Sequence, residues 1–207
     1  MNQYGYTKDE IKLFRRLNSP QKIQDYLNSL SFNFENNGET CMSPRQVLKN
    51  KTAHCMEGAM LASAILEFHG EKPLLMDLRS VKPHDDDHIL AVFKKFGCFG
   101  AISKTNHAVL RYREPIYKSL RELVMSFFHE YFLNTGYKTL RHYSDLLNLS
   151  HFDNLNWRTS DKNLFQIPHY IDKIKHHKIL SSKQIKNLRK ADKIEIKAGK
   201  IVEYKST

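Results

Sequence analysis

Two side chains carry the ingredients of thiol chemistry. Cys55 opens a long apolar run, Cys55-Met-Glu-Gly-Ala-Met-Leu-Ala-Ser-Ala-Ile-Leu-Glu-Phe-His69, which stops at Gly70. An aspartate cluster then delivers His88 at the head of a second apolar run, Asp85-Asp-Asp-His88-Ile-Leu-Ala-Val-Phe93. A free thiol has a pKa of about 8.5, so little of it is thiolate near neutrality. At a helix start it meets unpaired N–H groups and the positive end of the helix dipole. An imidazole within hydrogen-bond reach takes its proton and leaves a thiolate–imidazolium pair. His54 would add positive charge beside the sulfur, whereas Glu57 would oppose the thiolate if it pointed toward it. The competing reading is structural, because a free cysteine often behaves as a small buried hydrophobe.

The pattern around these residues predicts an α+β fold. Residues 8–17 and 20–30 read as short helices, the first opened by a Thr7-x-x-Glu10 capping box and the second by Ser19-Pro20. Residues 31–39 read as a loop, and Ser43-Pro44 starts another short helix. The Cys55 helix, over 54–69, is apolar nearly all round and belongs inside a core. Its small residues Gly58, Ala59 and Ala62 would let it lie close against a sheet. Strands are expected over 74–78, 88–94 and 98–103. In the second of these both alternating sets are apolar, so it should be covered on both faces. Pro115 is read as opening an amphipathic helix that Gly136 closes, and a further helix is expected near 140–148. Ser181-x-x-Gln184 marks a short basic helix, and residues 193–204 alternate around Ala198-Gly199 as a small hairpin would. The chain thus divides into a core over 1–135 and a helical, basic extension over 136–207.

The chain has 207 residues, enough for one good core, and a net charge of +11. Residues 161–207 hold 12 Lys/Arg against 5 Asp/Glu, so +7 sits in that stretch and +4 in the rest. Such an end suits nucleic acid or an acidic protein, although a solvated lysine-rich surface has the same composition. No apolar stretch reaches the roughly 18 residues a bilayer span needs, and no membrane partner is expected. The amino terminus lacks the profile of a signal peptide, which makes the cytoplasm the expected compartment. Three cysteines without a CxxC pair should be free thiols there.

The stretch 43–106 resembles the transglutaminase-like superfamily, in its bacterial-type members, a branch of the papain-type thiol folds. The residues that carry the likeness are Ser43-Pro-Arg-Gln-Val-Leu48, Ala53-His-Cys-Met-Glu-Gly-Ala59, Asp87-His-Ile-Leu-Ala-Val92 and Gly100-Ala-Ile-Ser-Lys104. The resemblance implies a cysteine-proteinase-like core: a central helix headed by the cysteine, packed on a small antiparallel sheet. It implies Cys55 as nucleophile, His88 as base on the second strand, and acyl or amide chemistry on a peptide or other amide substrate, by hydrolysis or acyl transfer, without a cofactor. On the third strand the family carries an aspartate that orients the histidine. This chain departs there: Ser103 falls at the matching position, and Asn106 is the nearest residue with an amide carbonyl. Either Ser103 or Asn106 would then complete the catalytic set. Asp87 is beside His88 in sequence, but strand neighbours point to opposite faces. The oxyanion would be met by the Cys55 N–H together with a donor from the residue before the helix or from a side chain such as Gln46 or Asn50.

A retired site on the same fold is the other reading, a binding module whose basic end contacts nucleic acid or an acidic protein. A metal held by His84, His88, His54 and Cys55 is not expected, because the four-residue spacing of the first two falls on loop and strand instead of one helix face. Trp157 is expected to pack the later segment onto the core, or else to stand exposed as a stacking platform.

Overall fold

The computed structural model describes residues 4–82 and 85–205. Two helices open the fold, α1 (Lys8–Arg16) and α2 (Pro20–Asn28), each starting at the cap its sequence advertises. Thr7 Oγ1 accepts from the Glu10 N–H at 3.2 Å while Glu10 accepts from the Thr7 N–H at 2.6 Å. The expected loop after α2 holds one short strand, β1 (Ser31–Phe32), which pairs in parallel with β2 (Thr52–Ala53) across α3 (Pro44–Asn50). Directly after β2 comes α4 (Cys55–Phe68). Every residue of α4 from Met56 to Leu66 is buried, as its lack of a polar face predicts.

The centre is an antiparallel sheet built from β3 (Leu74–Arg79), β4 (His88–Lys95), β5 (Cys98–Ile102), β6 (Arg113–Tyr117), β7 (His142–Ser144), β8 (Leu147–Asn148) and β9 (His176–Lys178). Its strands run in the order β6-β5-β4-β3-β7-β9, with β8 also paired to β3. The double-sided reading of β4 holds. Ile89, Ala91 and Phe93 pack into the apolar cluster that contains α4, and Leu90 and Val92 into the one that contains α5 (Leu120–Phe128). Burying side chains such as Met60, Leu61 and Ile65 contributes about 1.5–3 kcal/mol each. The structure is therefore α+β with an antiparallel sheet between two helical layers. No helix among the described residues is long and apolar enough to cross a membrane.

Three expected elements differ. Pro115 opens no helix; it lies within β6, an edge strand whose register shifts between its pairings with Phe99 and Ala101, where a residue without an N–H is tolerated. The helix begins later, at Ser119, whose Oγ accepts from the Glu122 N–H at 3.2 Å. No helix forms near 140–148: β7 and β8 satisfy the second edge of β3 instead. The expected hairpin over 193–204 is mostly α8 (Lys193–Gly199), because an Asp192-x-x-Glu195 capping box overrides the alternation of isoleucines. Only the following tail is extended, bridging Val202 to His107.

The stretch 136–207 supplies β7, β8 and β9 to the central sheet, together with a 3-10 helix (Leu149–Leu155), α6 (Gln166–Ile171), α7 (Ser182–Lys186) and α8. Trp157 is fully buried, with the Arg158 guanidinium 4.4 Å from its ring centre, so it packs and does not stack outward.

Candidate functional site

The approach to Cys55 is fixed by backbone pairing. Ser31 and Asn33 donate N–H bonds to the Lys51 and Ala53 carbonyls, which holds β2 until the chain turns into α4. His54 is the extended N-cap, and its ring Nδ1 accepts from the Met56 N–H at 3.3 Å. Glu57 closes the box by accepting from the His54 N–H at 3.1 Å. Glu57 does not point at the sulfur. It is fully buried and also accepts from Thr40 Oγ1, the Met42 N–H and Asn33 Nδ2, at 2.8, 2.9 and 3.0 Å. Cys55 thus sits at the first helical position, partly exposed, and its own N–H has no acceptor among the described residues.

His88, the first residue of β4, pairs in register with Leu78. Its Nε2 lies 2.7 Å from Ser103 Oγ, just past the end of β5. The Ser103 hydroxyl has a single hydrogen, which it gives to the Leu110 carbonyl at 2.6 Å. It must therefore accept from His88, so Nε2 carries the ring hydrogen and Nδ1 is left to take a proton. His54 and His88 line the same cleft as Cys55 and both act on the ionisation of its sulfur. Burial opposes a charged sulfur, but the two imidazoles outweigh it and pull the Cys55 pKa down to about 5. Burial likewise opposes a charge on His54, yet the Cys55 sulfur, Glu57 and the Thr40 carbonyl bring its pKa up to about 9. Cys41 behaves oppositely: buried in the core near Glu57, its thiol is pushed up to about 12. Cys98 is partly exposed, and all three cysteines are free thiols.

Of the two residues proposed to orient the imidazole, Ser103 meets it and Asn106 does not. Asn106 is spent on the carboxy-terminal tail, donating from Nδ2 to the Tyr204 carbonyl at 2.9 Å and accepting the Tyr204 N–H at 2.8 Å. Gln46 and Asn50 are also elsewhere: Gln46 donates to Asp161 and Asn50 to the Met42 sulfur. Asp87 accepts from Ser80 and pairs with Lys82, away from the ring. His84 lies outside the described residues.

Sequence reasoning missed Gln24 and Lys104. Gln24, buried on α2, clamps the Ser103 backbone through both ends of its amide, at 2.8 and 3.0 Å. Lys104 is buried with its Nζ on the Leu27 and Leu30 carbonyls at 3.0 and 2.5 Å, capping the end of α2. Burial lowers its pKa to about 8, against a smaller opposing pull from Glu203. Both positions look unremarkable in sequence, since their partners lie more than 70 residues away.

Gly58 explains the close approach of the two halves. A Cβ there would fall 2.4 Å from Lys104 Cβ and 3.1 Å from its Cγ. Gly58→Ala is expected to push the Ser103–Lys104 segment off α4, costing about 1–3 kcal/mol in thermal melts and loosening the His88–Ser103 contact.

The site opens onto a cleft of about 580 Å³. Aromatic and aliphatic side chains from Phe32, Phe34, Val109 and Phe132 line it, with the carboxylates of Glu35 and Asp86. Asp77, Asp87 and Asp172 also bring carboxylate oxygens within 4.8 Å of one another. Arg79 sits among them, at 3.5, 4.0 and 3.1 Å, and supplies the positive charge itself. The loop after β5 is tied back by Arg113, which meets Glu130 at 2.6 Å and lies over the Phe127 ring.

Compared with protein families and with curated proteins, the chain matches no family model and has no significant curated match. The weight of a functional reading therefore falls on the geometry around Cys55.

Proposed function

We propose that this protein is a cysteine-dependent enzyme of transglutaminase-like type, acting on an amide or related acyl bond by hydrolysis or acyl transfer. One observation carries the reading: Cys55, at the start of a buried helix, shares an open cleft with His88, whose Nε2 is held by Ser103. Helix on sheet, cysteine at the helix start and histidine at the strand start suit the papain-type arrangement.

In this reading Cys55 attacks the carbonyl carbon and forms a thioester. The Cys55 N–H, free at the helix start, meets the oxyanion that develops. His88 gives a proton to the leaving group and later takes one from water or from an acceptor nucleophile. The mixed apolar and acidic lining suits a peptide-like amide. The chemistry needs no cofactor.

The neutral hydroxyl behind His88, where a carboxylate would stabilise an imidazolium better, favours the second reading, a binding module with the site retired. Its basic 161–207 region would then contact nucleic acid or an acidic protein.

Incubation with a panel of amide, ester and thioester acyl donors, followed by intact mass, separates the two. An acyl adduct on Cys55 that is absent from Cys55→Ala is the expected result. No adduct from any donor, with salt-sensitive nucleic-acid binding instead, would favour the module.

A further inference from the structure

A thiol or hydroxyl site usually places a carboxylate behind the imidazole that becomes cationic, where it stabilises the charge and fixes the ring. Behind His88 there is only the Ser103 hydroxyl, and that hydroxyl is polarised toward the Leu110 carbonyl. The carboxylates gather behind the other ring. His54 Nε2 lies 3.1 Å from the Thr40 carbonyl, 3.4 Å from Glu57 Oε1 and 3.7 Å from Glu35 Oε1. These three acceptors face one nitrogen of a side chain that is only 16% exposed. Glu57 is in turn held by four donors, so it cannot swing away without leaving them unpaired. A cation in so dry a place is tolerated where paired acceptors surround it.

The remaining charged and titratable groups around the sulfur do not replace this arrangement. From the head of β4, Asp87 turns to Ser80 and Lys82. After β5, Lys104 turns to the Leu27 and Leu30 carbonyls. Tyr131, after α5, donates its hydroxyl to the Asp86 carbonyl.

We propose that His54, rather than His88, is the standing cationic partner of the Cys55 thiolate, with Glu57 and Glu35 as its counter-charges, and that His88 is the ring that moves protons. This rests on Cys55 being the nucleophile proposed above. The thiol proton passes to His54 Nδ1, leaving the electron pair on sulfur. Nδ1 then donates to the sulfur and ceases to accept the Met56 N–H. In the acyl step the sulfur pair forms the S–C bond; as the tetrahedral oxyanion collapses the C–N bond breaks, and His88, which has taken a proton from solvent water at Nδ1, gives it to the departing amine. In the second step neutral His88 takes a proton from water, the S–C bond breaks, and the pair returns to sulfur. Through both steps His54 keeps its proton, so the thiolate is a stable leaving group as well as a nucleophile.

The test is the pH midpoint of Cys55 thiolate formation in the full chain, read by ultraviolet absorbance and by alkylation with iodoacetamide located by mass spectrometry. His54→Asn keeps a good N-cap while removing the ring. The expected result is a midpoint raised by more than about one pH unit in His54→Asn and moved by less than about half a unit in His88→Asn. Glu35→Gln, on a partly exposed side chain, should raise it by a smaller amount and covers the case in which His54→Asn does not fold. A large rise in His88→Asn with none in His54→Asn, or equal shifts in both, would overturn the proposal. If His54→Asn does not fold, an unmoved midpoint in Glu35→Gln would overturn it as well. Turnover is scored separately. A wild-type protein that forms the thiolate through His54 but yields no acyl adduct would sink the enzymatic reading and leave this one standing.

Discussion

His88→Asn is expected to cut turnover about 10²- to 10⁴-fold while the protein stays folded, the range spanned by removal of a positioned proton-transfer group. His88 stands at the end of a strand, with one nitrogen on Ser103 and the other free to take a proton. Asparagine can still offer an N–H toward Ser103, so the Ser103–Leu110 link is not orphaned. What it lacks is a group that accepts a proton and returns it. The loss should appear in kcat, because a proton-transfer ring contributes most in the transition state. Steady-state kinetics on whichever acyl donor labels Cys55 would read it. A change of less than tenfold would remove His88 from the chemistry.

The second large effect is on stability. Arg158→Met is expected to cost about 3–5 kcal/mol, the range for breaking one partner out of a buried ion pair. The Arg158 guanidinium meets both Glu67 oxygens, at 2.5 and 2.6 Å, with both side chains almost fully buried. It also meets Asp153 at 2.8 Å and is packed against the Trp157 and Tyr4 rings. Removing it leaves the Glu67 carboxylate near the end of α4 without its counter-charge. For a chain of this size the melting temperature should fall by about 6–20 °C. The double variant Glu67→Met with Arg158→Met should recover much of the loss, since a well-packed apolar pair avoids the desolvation cost. Failure of that recovery would mean that the arginine acts mainly through its aromatic contacts.

Local signals were legible where side chain and backbone lie close in sequence. Thr7, Ser19 and Ser43 cap the helices they announce, and the unbroken apolar surface of the Cys55 helix does become the buried centre. The double-sided apolar pattern of β4 likewise gave its place between two layers. The errors came where long-range pairing competes with a local pattern. Residues near 140–148 carry helical spacing, but β3 has a second edge whose N–H and C=O groups need partners, and satisfying them outweighs a weak propensity. In 193–204 the reverse happened, and a capping box beat an alternation that no neighbouring strand supported.

At the site, Cys55 and His88 were readable because helix starts and strand ends are marked in sequence, and Ser103 because it falls where the family resemblance expects an aspartate. Asn106 was a plausible orienter until its amide was taken by Tyr204, almost a hundred residues on. The structural role of Gln24 and the carboxylates behind His54 depend on how α2 and the 33–42 loop fold over the helix start, which no spacing announces.

The pH window follows from the same contacts. Cys55 is held below an ordinary thiol, so its contribution to folding is present at high pH and is lost as pH falls through about 5. His54 is held above an ordinary imidazole, so its contribution is present at low pH and is lost as pH rises through about 9. The thiolate–imidazolium pair is therefore complete only between these limits.

The most direct measurement is the pH profile of iodoacetamide alkylation of the wild-type protein, resolved cysteine by cysteine. The account predicts a Cys55 midpoint at about 5, and at pH 6 a rate about tenfold above that of an ordinary thiol once the lower nucleophilicity of a stabilised thiolate is allowed for. Cys41 should stay unlabelled, shielded by the core. A Cys55 midpoint at about 8.5, the value of an unassisted thiol, would contradict the account.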